Sequence, residues 1–352
     1  MRLLAGLTLA LLLVLPAKAE PVADSIISQA VLPGYLRLAE AAEVQVTALD
    51  QLCARPSQNG LSEARAAFAD TVRAWSQVEL YRFGPAREDY RYEKLFYWPD
   101  RKGRGLRQVQ RLLGEEDPSA STAERLAGKS VALQGLPALE YLLFGTGSEV
   151  LAERAGYRCA YALAAAEVIA GNAEALQAAW ANPAGFPALL RQPGIEGSPY
   201  QSEGEVLQEF LRSAAAQLQL VAAIKLARTL GSAPEKAKPK RAPFWRSGLT
   251  LASLQGNLQG VGALMRSGID QTLPASQAHL ARSLAFELAT AETQLAALEN
   301  SALAWVDLAT SAEGYRLLGL VVLPVMGAQG LVGERYPQAL GLTLGFNALD
   351  GD

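Results

Sequence analysis

The residue most open to chemistry is Glu140, a carboxylate inside a strongly apolar stretch, Gly135-Leu136-Pro137-Ala138-Leu139-Glu140-Tyr141-Leu142-Leu143-Phe144-Gly145. A carboxylate buried in such surroundings is paired with a cation, bound to a metal or protonated. The plainer reading turns Glu140 to solvent or to a structural arginine. A second concentration lies between 75 and 98, where Trp75, Tyr81, Phe83, Tyr90, Tyr92, Phe96, Tyr97 and Trp98 alternate with Arg82, Arg87 and Arg91. Arginine among aromatic rings suits anions and flat ligands, and the same composition also builds a packing corner between helices. Two basic runs follow. Arg101, Lys102, Arg104, Arg107 and Arg111 either grip an anion or form a solvated helix start balanced by Glu115, Glu116 and Asp117. Lys236, Lys238, Lys240 and Arg241 either touch an anionic polysaccharide or lipid or belong to a solvated linker. The ending Asp350-Gly351-Asp352 offers oxygens to a hard cation, or is an acidic tail.

Composition removes whole classes of function. The chain has one histidine and two cysteines in 352 residues. Zinc fingers, HExxH metalloprotease sites, CxxCH haem attachment and cysteine-rich redox motifs are therefore impossible. The histidine, His279, falls in Gln277-Ala278-His279-Leu280 and reads as a surface residue at a helix start. Lys and Arg number 32 against 35 Asp and Glu, a net charge of −3, which argues against a nucleic-acid partner. Half the residues are hydrophobic, which excludes disorder.

The elements that must position these residues are helices. Leu284, Leu288, Ala291, Leu295, Leu298, Ala302 and Trp305 recur at steps of three and four. So do Leu207, Leu211, Ala214, Leu218, Val221 and, less well, Lys225, and a third seam holds Leu61, Phe68, Val72, Trp75 and Val78. Each is the apolar stripe of a bundle helix. No stretch alternates with period two, so the fold is all-α. The small, basic, proline-rich segment 231–243 divides it into two helical-bundle domains, 20–230 and 244–352. Pro33-Gly34 breaks or kinks the first helical region, and 181–204 is a long irregular connection of the kind that often carries function. Residues 1–19 have a charged start, an apolar run from Leu3 to Leu15 and an Ala17-Lys18-Ala19 cleavage pattern, a secretory signal peptide cut after Ala19. The other apolar run, Leu317 to Val332, is interrupted by Gly319, Pro324, Gly327 and Gly330 and reads as a buried helix pair or kinked helix; the mature chain then has no integral membrane segment. In an oxidising compartment Cys53 and Cys159 either bridge or remain two separate buried thiols.

Residues 134–145 resemble the GxHxxE segment of the imelysin-like proteins, also classed as the M75 peptidase family. Trp75 to Glu79, Phe83-Gly84-Pro85, Tyr97-Trp98-Pro99-Asp100 and the stretch from Gly345-Phe346-Asn347 to Asp352 fit the same family, as does the spacing of Cys53 and Cys159. The resemblance covers essentially the whole mature chain. It implies two helical bundles with a polar site between them, in a cell-envelope protein linked to iron acquisition. It also implies ligand-binding roles for Glu140, Trp75, Glu79, Arg82, Trp98 and Asp100. One departure matters: Pro137 stands where the motif has histidine, which leaves Glu140 alone as a weak metal ligand. The expected function is a periplasmic, non-catalytic binding protein for iron or other metal uptake, which takes a divalent metal, iron or a small anionic ligand and works with envelope partners. The alternatives are a metallopeptidase-like hydrolase with Glu140 as base or metal ligand, and a structural module of an envelope complex.

Overall fold

The structure, a computed structural model, describes residues 21–100, 102–301 and 303–342. The expected signal peptide, Arg101, Ala302 and the acidic ending lie outside the described residues. Among the described residues there are helices, turns and loops and no strand. The principal helices are α1 (Leu32–Ala54), α2 (Gln58–Val78), α3 (Arg104–Glu115), α4 (Gly135–Phe144), α5 (Tyr157–Ala181), α6 (Glu203–Gln219), α7 (Thr250–Arg266), α8 (His279–Asn300) and α9 (Ala312–Gly330).

Helices α1, α2, α4 and α5 form one bundle and α6 to α9 the other, with α2 packed across on α7. One continuous hydrophobic core runs through both. All five residues of the α2 seam are buried, as are Leu284, Leu288, Ala291, Leu295 and Leu298 of α8. Helix α8 stops at Asn300, so Trp305 starts a separate short helix instead of extending the seam. Pro33 does not break the first helix. Val22–Ile26, a π-helical turn Ile27–Val31 and α1 run on with helical torsions, and a second π-turn, Leu331–Arg335, precedes Pro337 in the same way. A proline ring clashes with the carbonyl four residues back, and the wider π-turn moves that carbonyl aside.

Two connecting segments are fastened to the helices around them. Helix α6 packs on α7 and α9, so residues 203–230 sit with the helices that follow 231–243. That segment is not a free spacer. It forms two short 3-10 turns, and Tyr315, Trp305 and Trp98 donate hydrogen bonds to the carbonyls of Gly231, Pro239 and Arg241. The stretch 181–204 holds a short helix, Phe186–Arg191, and Phe186 packs with Phe83, Trp180 and Tyr200, so it closes the core. Ala312–Ala339 is one continuous helical stretch that contains an 18-residue window of mean hydropathy 1.6, long and apolar enough to cross a membrane by composition. It packs Leu318, Val321, Val325, Ala328 and Val332 inward and leaves Leu320, Leu323 and Met326 exposed.

The α2–α7 crossing is close and polar. A Cβ at Gly260 would lie 2.1 Å from the Gln77 carbonyl oxygen, and one at Gly256 would lie 2.7 Å from the Ser76 Cβ, so only glycines allow the approach. At this crossing Glu79 is fully buried. The Lys225 Nζ donates to its Oε2 at 2.7 Å and the Asn257 Nδ2 at 2.9 Å, while Arg82 lies 3.3 Å from Oε1. Lys225 also donates to the Asn257 Oδ1 at 2.7 Å, and Asn257 donates to the Ser76 carbonyl. Burial pushes the Glu79 carboxyl up, but the Lys225 and Arg82 charges outweigh it and hold the group below its ordinary value. Lys225 comes from the π-helical turn Leu220–Ala227 that continues α6.

Cys53 on α1 and Cys159 on α5 form a disulfide that closes a separation of 106 residues, with Cα atoms 5.7 Å apart. Replacing both by Ser is expected to lower stability by up to about 4–5 kcal/mol, the chain-entropy value for a loop of this order, measured as the urea-unfolding difference from wild type. Lys225→Met leaves the buried Glu79 with only Arg82 and Asn257. It should cost about 3 kcal/mol, the lower end for breaking a buried pair. Adding Glu79→Gln should recover part of that loss in a double-mutant cycle.

Candidate functional site

Helix α4 carries the motif and is held at both ends. Gly135 has φ +73°, and a Cβ there would lie 2.3 Å from the Lys94 carbonyl oxygen, so only glycine fits. At the other end the Arg158 guanidinium donates to the carbonyls of Tyr141, Leu142 and Thr146 at 2.8–2.9 Å, and Arg65 donates to that of Leu143 at 2.9 Å. Cations on terminal carbonyls satisfy the helix end and its dipole. Pro137 sits in the first turn, where backbone N–H groups have no intrahelical partner, so its missing donor costs the helix nothing. Positions 137, 140 and 141 share one face, and that face lines a cavity.

Glu140 is 4% exposed. Its Oε1 accepts from the backbone N–H groups of Arg246 at 3.0 Å and Ser247 at 2.9 Å, and from the Ser247 hydroxyl at 2.9 Å. Phe244, at φ +57°, turns the chain so that these successive N–H groups face the carboxylate. Its Oε2 accepts none of the hydrogen bonds found among the described residues. Burial pushes the Glu140 carboxyl above its ordinary value of 4.5, and the Ser247 and Arg246 bonds only partly oppose the shift.

The cavity has a volume of about 630 Å³ and lies between the bundles. The first bundle supplies Phe96, Tyr97, Trp98, Asp100, Pro137, Glu140 and Tyr141; the second supplies Ile224, Arg228, Lys240, Arg241, Phe244, Trp245 and Arg246. Arg228, Lys240 and Arg241 are exposed and Arg246 is half-buried. None of these four cations makes an ion pair within 4.0 Å among the described residues. The Arg246 guanidinium lies 4.4 Å from the Trp245 ring centre and 5.5 Å from that of Tyr141. Both carboxylates in the lining are engaged by backbone donors: Glu140 as described, and Asp100 by the N–H groups of Arg104 at 2.8 Å and Leu106 at 3.1 Å, where it caps α3. The lining is therefore net cationic and suits an anion.

Three of the six sequence candidates, Glu140, Trp98 and Asp100, come together on this cavity; Trp75, Glu79 and Arg82 do not line it. Trp75 is core, with its ring centre 5.3 Å from that of Tyr92 and 5.9 Å from that of Phe96, so it backs the cavity wall. Glu79 and Arg82 belong to the buried cluster at the α2–α7 crossing. The missed residues are Arg246, Trp245 and Arg228. The signal for two of them was present as Phe244-Trp245-Arg246, the same mix of arginine and rings that marks 75–98. Lys240 and Arg241, assigned to a solvated linker, form part of the wall. His279 is exposed, as expected.

A resident divalent metal does not fit the residues present. Pro137 offers no ligand atom, and one oxygen of Glu140 already accepts three hydrogen bonds. No group of three His, Cys, Asp or Glu side chains able to hold a metal occurs among the described residues. A bare cation would also meet four positive charges that have no ion pair among the described residues.

A family model described as Imelysin, Peptidase_M75, matches residues 31–319. No curated protein matches. Among solved structures, an imelysin-like protein from Psychrobacter arcticum 273-4 superposes with a TM-score of 0.75 at 21% identity, covering 94% of this chain and 98% of that one. A protein named as an iron-regulated protein A precursor, from Parabacteroides distasonis ATCC 8503, superposes with a TM-score of 0.73 at 14% identity, covering 90% and 94%. At such identities the structural likeness speaks for the fold alone.

The two variants of Glu140 should separate. Glu140→Ala strands two N–H groups and a hydroxyl and should cost about 1–3 kcal/mol per unsatisfied buried group. Glu140→Gln keeps an accepting oxygen. Because the folded carboxyl titrates above its ordinary value, its contribution to stability is full below about pH 4.5 and falls as pH rises through the folded pKa. Urea midpoints of Glu140→Gln should therefore gain on wild type as pH rises from 4 to 8.

Proposed function

The chain belongs to the imelysin family, and from that premise we propose that it is a non-catalytic binding protein of the cell envelope. Its ligand site is the cavity beside Glu140, and its ligand is a small anion. The observation that carries this reading is the group Arg228, Lys240, Arg241 and Arg246 around one cavity, with no ion pair to any of them among the described residues. The volume of about 630 Å³ lies within the range of small-molecule sites, ~300–1,000 Å³. A role in iron or other metal uptake is supported by the family and by the name of the Parabacteroides relative. In this cavity the metal is cargo and enters as an anionic complex. Against hydrolysis stands the donor set: zinc-type hydrolysis uses three protein ligands and an open position, whereas Glu140 is held by backbone donors with no histidine beside it. The disulfide and the pattern of residues 1–19 support a periplasmic location.

Calorimetric titration at two salt concentrations tests this reading, with benzoate, citrate and ferric citrate on one side and Fe²⁺, Zn²⁺ and Ca²⁺ on the other. At least one anion is expected to bind, more weakly at high salt and several-fold more weakly in Arg246→Gln, while the bare cations bind poorly. Cations binding more tightly than any of the anions would overturn it. So would peptide cleavage that disappears in Glu140→Gln.

A further inference from the structure

Two flat surfaces line the cavity. On one, Phe244, Phe96 and Trp98 form a near-parallel stack, with interplanar angles of 22° and 23° and ring centres 5.3 and 5.9 Å apart. Trp98 is its half-buried end and has Phe96 as its only ring partner among the described residues. On the other, the Arg246 guanidinium lies against Trp245 and Tyr141. That guanidinium donates no hydrogen bond among the described residues, although burial and two ring faces restrict it. An arginine held this way keeps its planar fork of donors for an incoming acceptor, and a carboxylate matches the fork with two parallel bonds. A simple inorganic anion would satisfy the fork but leave most of a cavity of about 630 Å³ and its ring faces without contacts. A flat ring bearing the carboxylate fills both requirements, since aromatic faces stack favourably on one another.

We infer that the cavity takes a planar aryl carboxylate, its carboxylate anchored by Arg246 and its ring laid against the aromatic wall that ends in Trp98. This rests on the reading of the cavity as an anion site and adds the shape and chemistry of the anion. Arg228, Lys240 and Arg241, exposed at the same cavity, raise the encounter rate for any anion and do not select the ring.

The test compares benzoate with cyclohexanecarboxylate, which carries the same charge on a ring of similar size without the aromatic face. Binding is followed by calorimetry and by tryptophan fluorescence. Wild type should bind benzoate about tenfold more tightly than cyclohexanecarboxylate. Trp98→Leu, and separately Trp98→Met in case the first is poorly folded, should reduce that preference while binding of cyclohexanecarboxylate persists. Arg246→Gln should weaken both ligands together, and circular dichroism should show each variant still helical. Equal affinity of wild type for the two acids overturns the aryl inference and leaves the anion site standing. If wild type binds neither acid nor citrate, the anion site fails with it. Arg246→Gln that leaves benzoate affinity unchanged refutes the anchor, and a preference for benzoate that survives both tryptophan variants refutes the aromatic wall.

Discussion

A carboxylate fully buried from solvent sits where the two bundles meet, and the rest of the structure is arranged to keep it charged. Glu79 ends the helix that faces the second bundle, and an ionised group there is tolerated only with a cation and further donors against it. Lys225 supplies the cation from the second bundle and Asn257 bridges the two. Gly256 and Gly260 let α7 come near enough for these bonds to form. The crossing therefore has one register. A slide of either helix would leave buried charges unpaired, a penalty large beside the marginal stability of a folded chain.

That register also places the cavity. Ile224 and Arg228, which flank Lys225 in sequence, line it, and the Lys225 ammonium lies 5.7 and 5.9 Å from the ring centres of Phe96 and Trp98, two of its walls. The other wall comes from the turn before α7, where Phe244 to Ser247 close on Glu140. Both ends of the cavity are thus built from elements that converge on the Glu79 cluster. A cluster bonded this closely beside a cavity holds the side chains of its wall in place, and pre-ordered side chains lower the ordering cost of any binding.

The two buried glutamates show how environment separates identical groups. Glu79 has cations within hydrogen-bond reach and titrates below its ordinary value. Glu140 has neutral donors, and burial drives it above. The Glu140 Oε1 is taken up by three donors of the turn at Arg246 and Ser247, and none of the cations around the cavity pairs with it within 4.0 Å. Pro137 fits the same picture. The helix accepts it because a first-turn residue has no intrahelical donor to lose, and its ring puts no ligand atom beside Glu140.

The helical fold, the bundle seams and the apolar setting of Glu140 were legible in the sequence, because the spacing of apolar residues along a helix is a local property that burial then obeys. Even Lys225, the poor fit at the end of the 207–225 seam, lies where the period puts it, in the interior. What spacing could not supply was its partner, since Glu79 is 146 residues away and that meeting depends on how two helices cross. The resemblance pointed to the 75–98 region without separating its roles. Trp98 reaches the cavity and Trp75 backs its wall, a difference set by which way each helix or loop faces. The basic stretch after 231 looked like a linker because its composition is that of solvated chain, yet hydrogen bonds from Trp98, Trp305 and Tyr315, all distant in sequence, fasten it down and bring Lys240 to Arg246 onto the cavity. The sequence alone determined which segments are helices and which faces are buried. Only the tertiary structure decided which charges meet inside and which line the cavity with no ion pair among the described residues, because pairing across bundles is a matter of distance in space that no local period records.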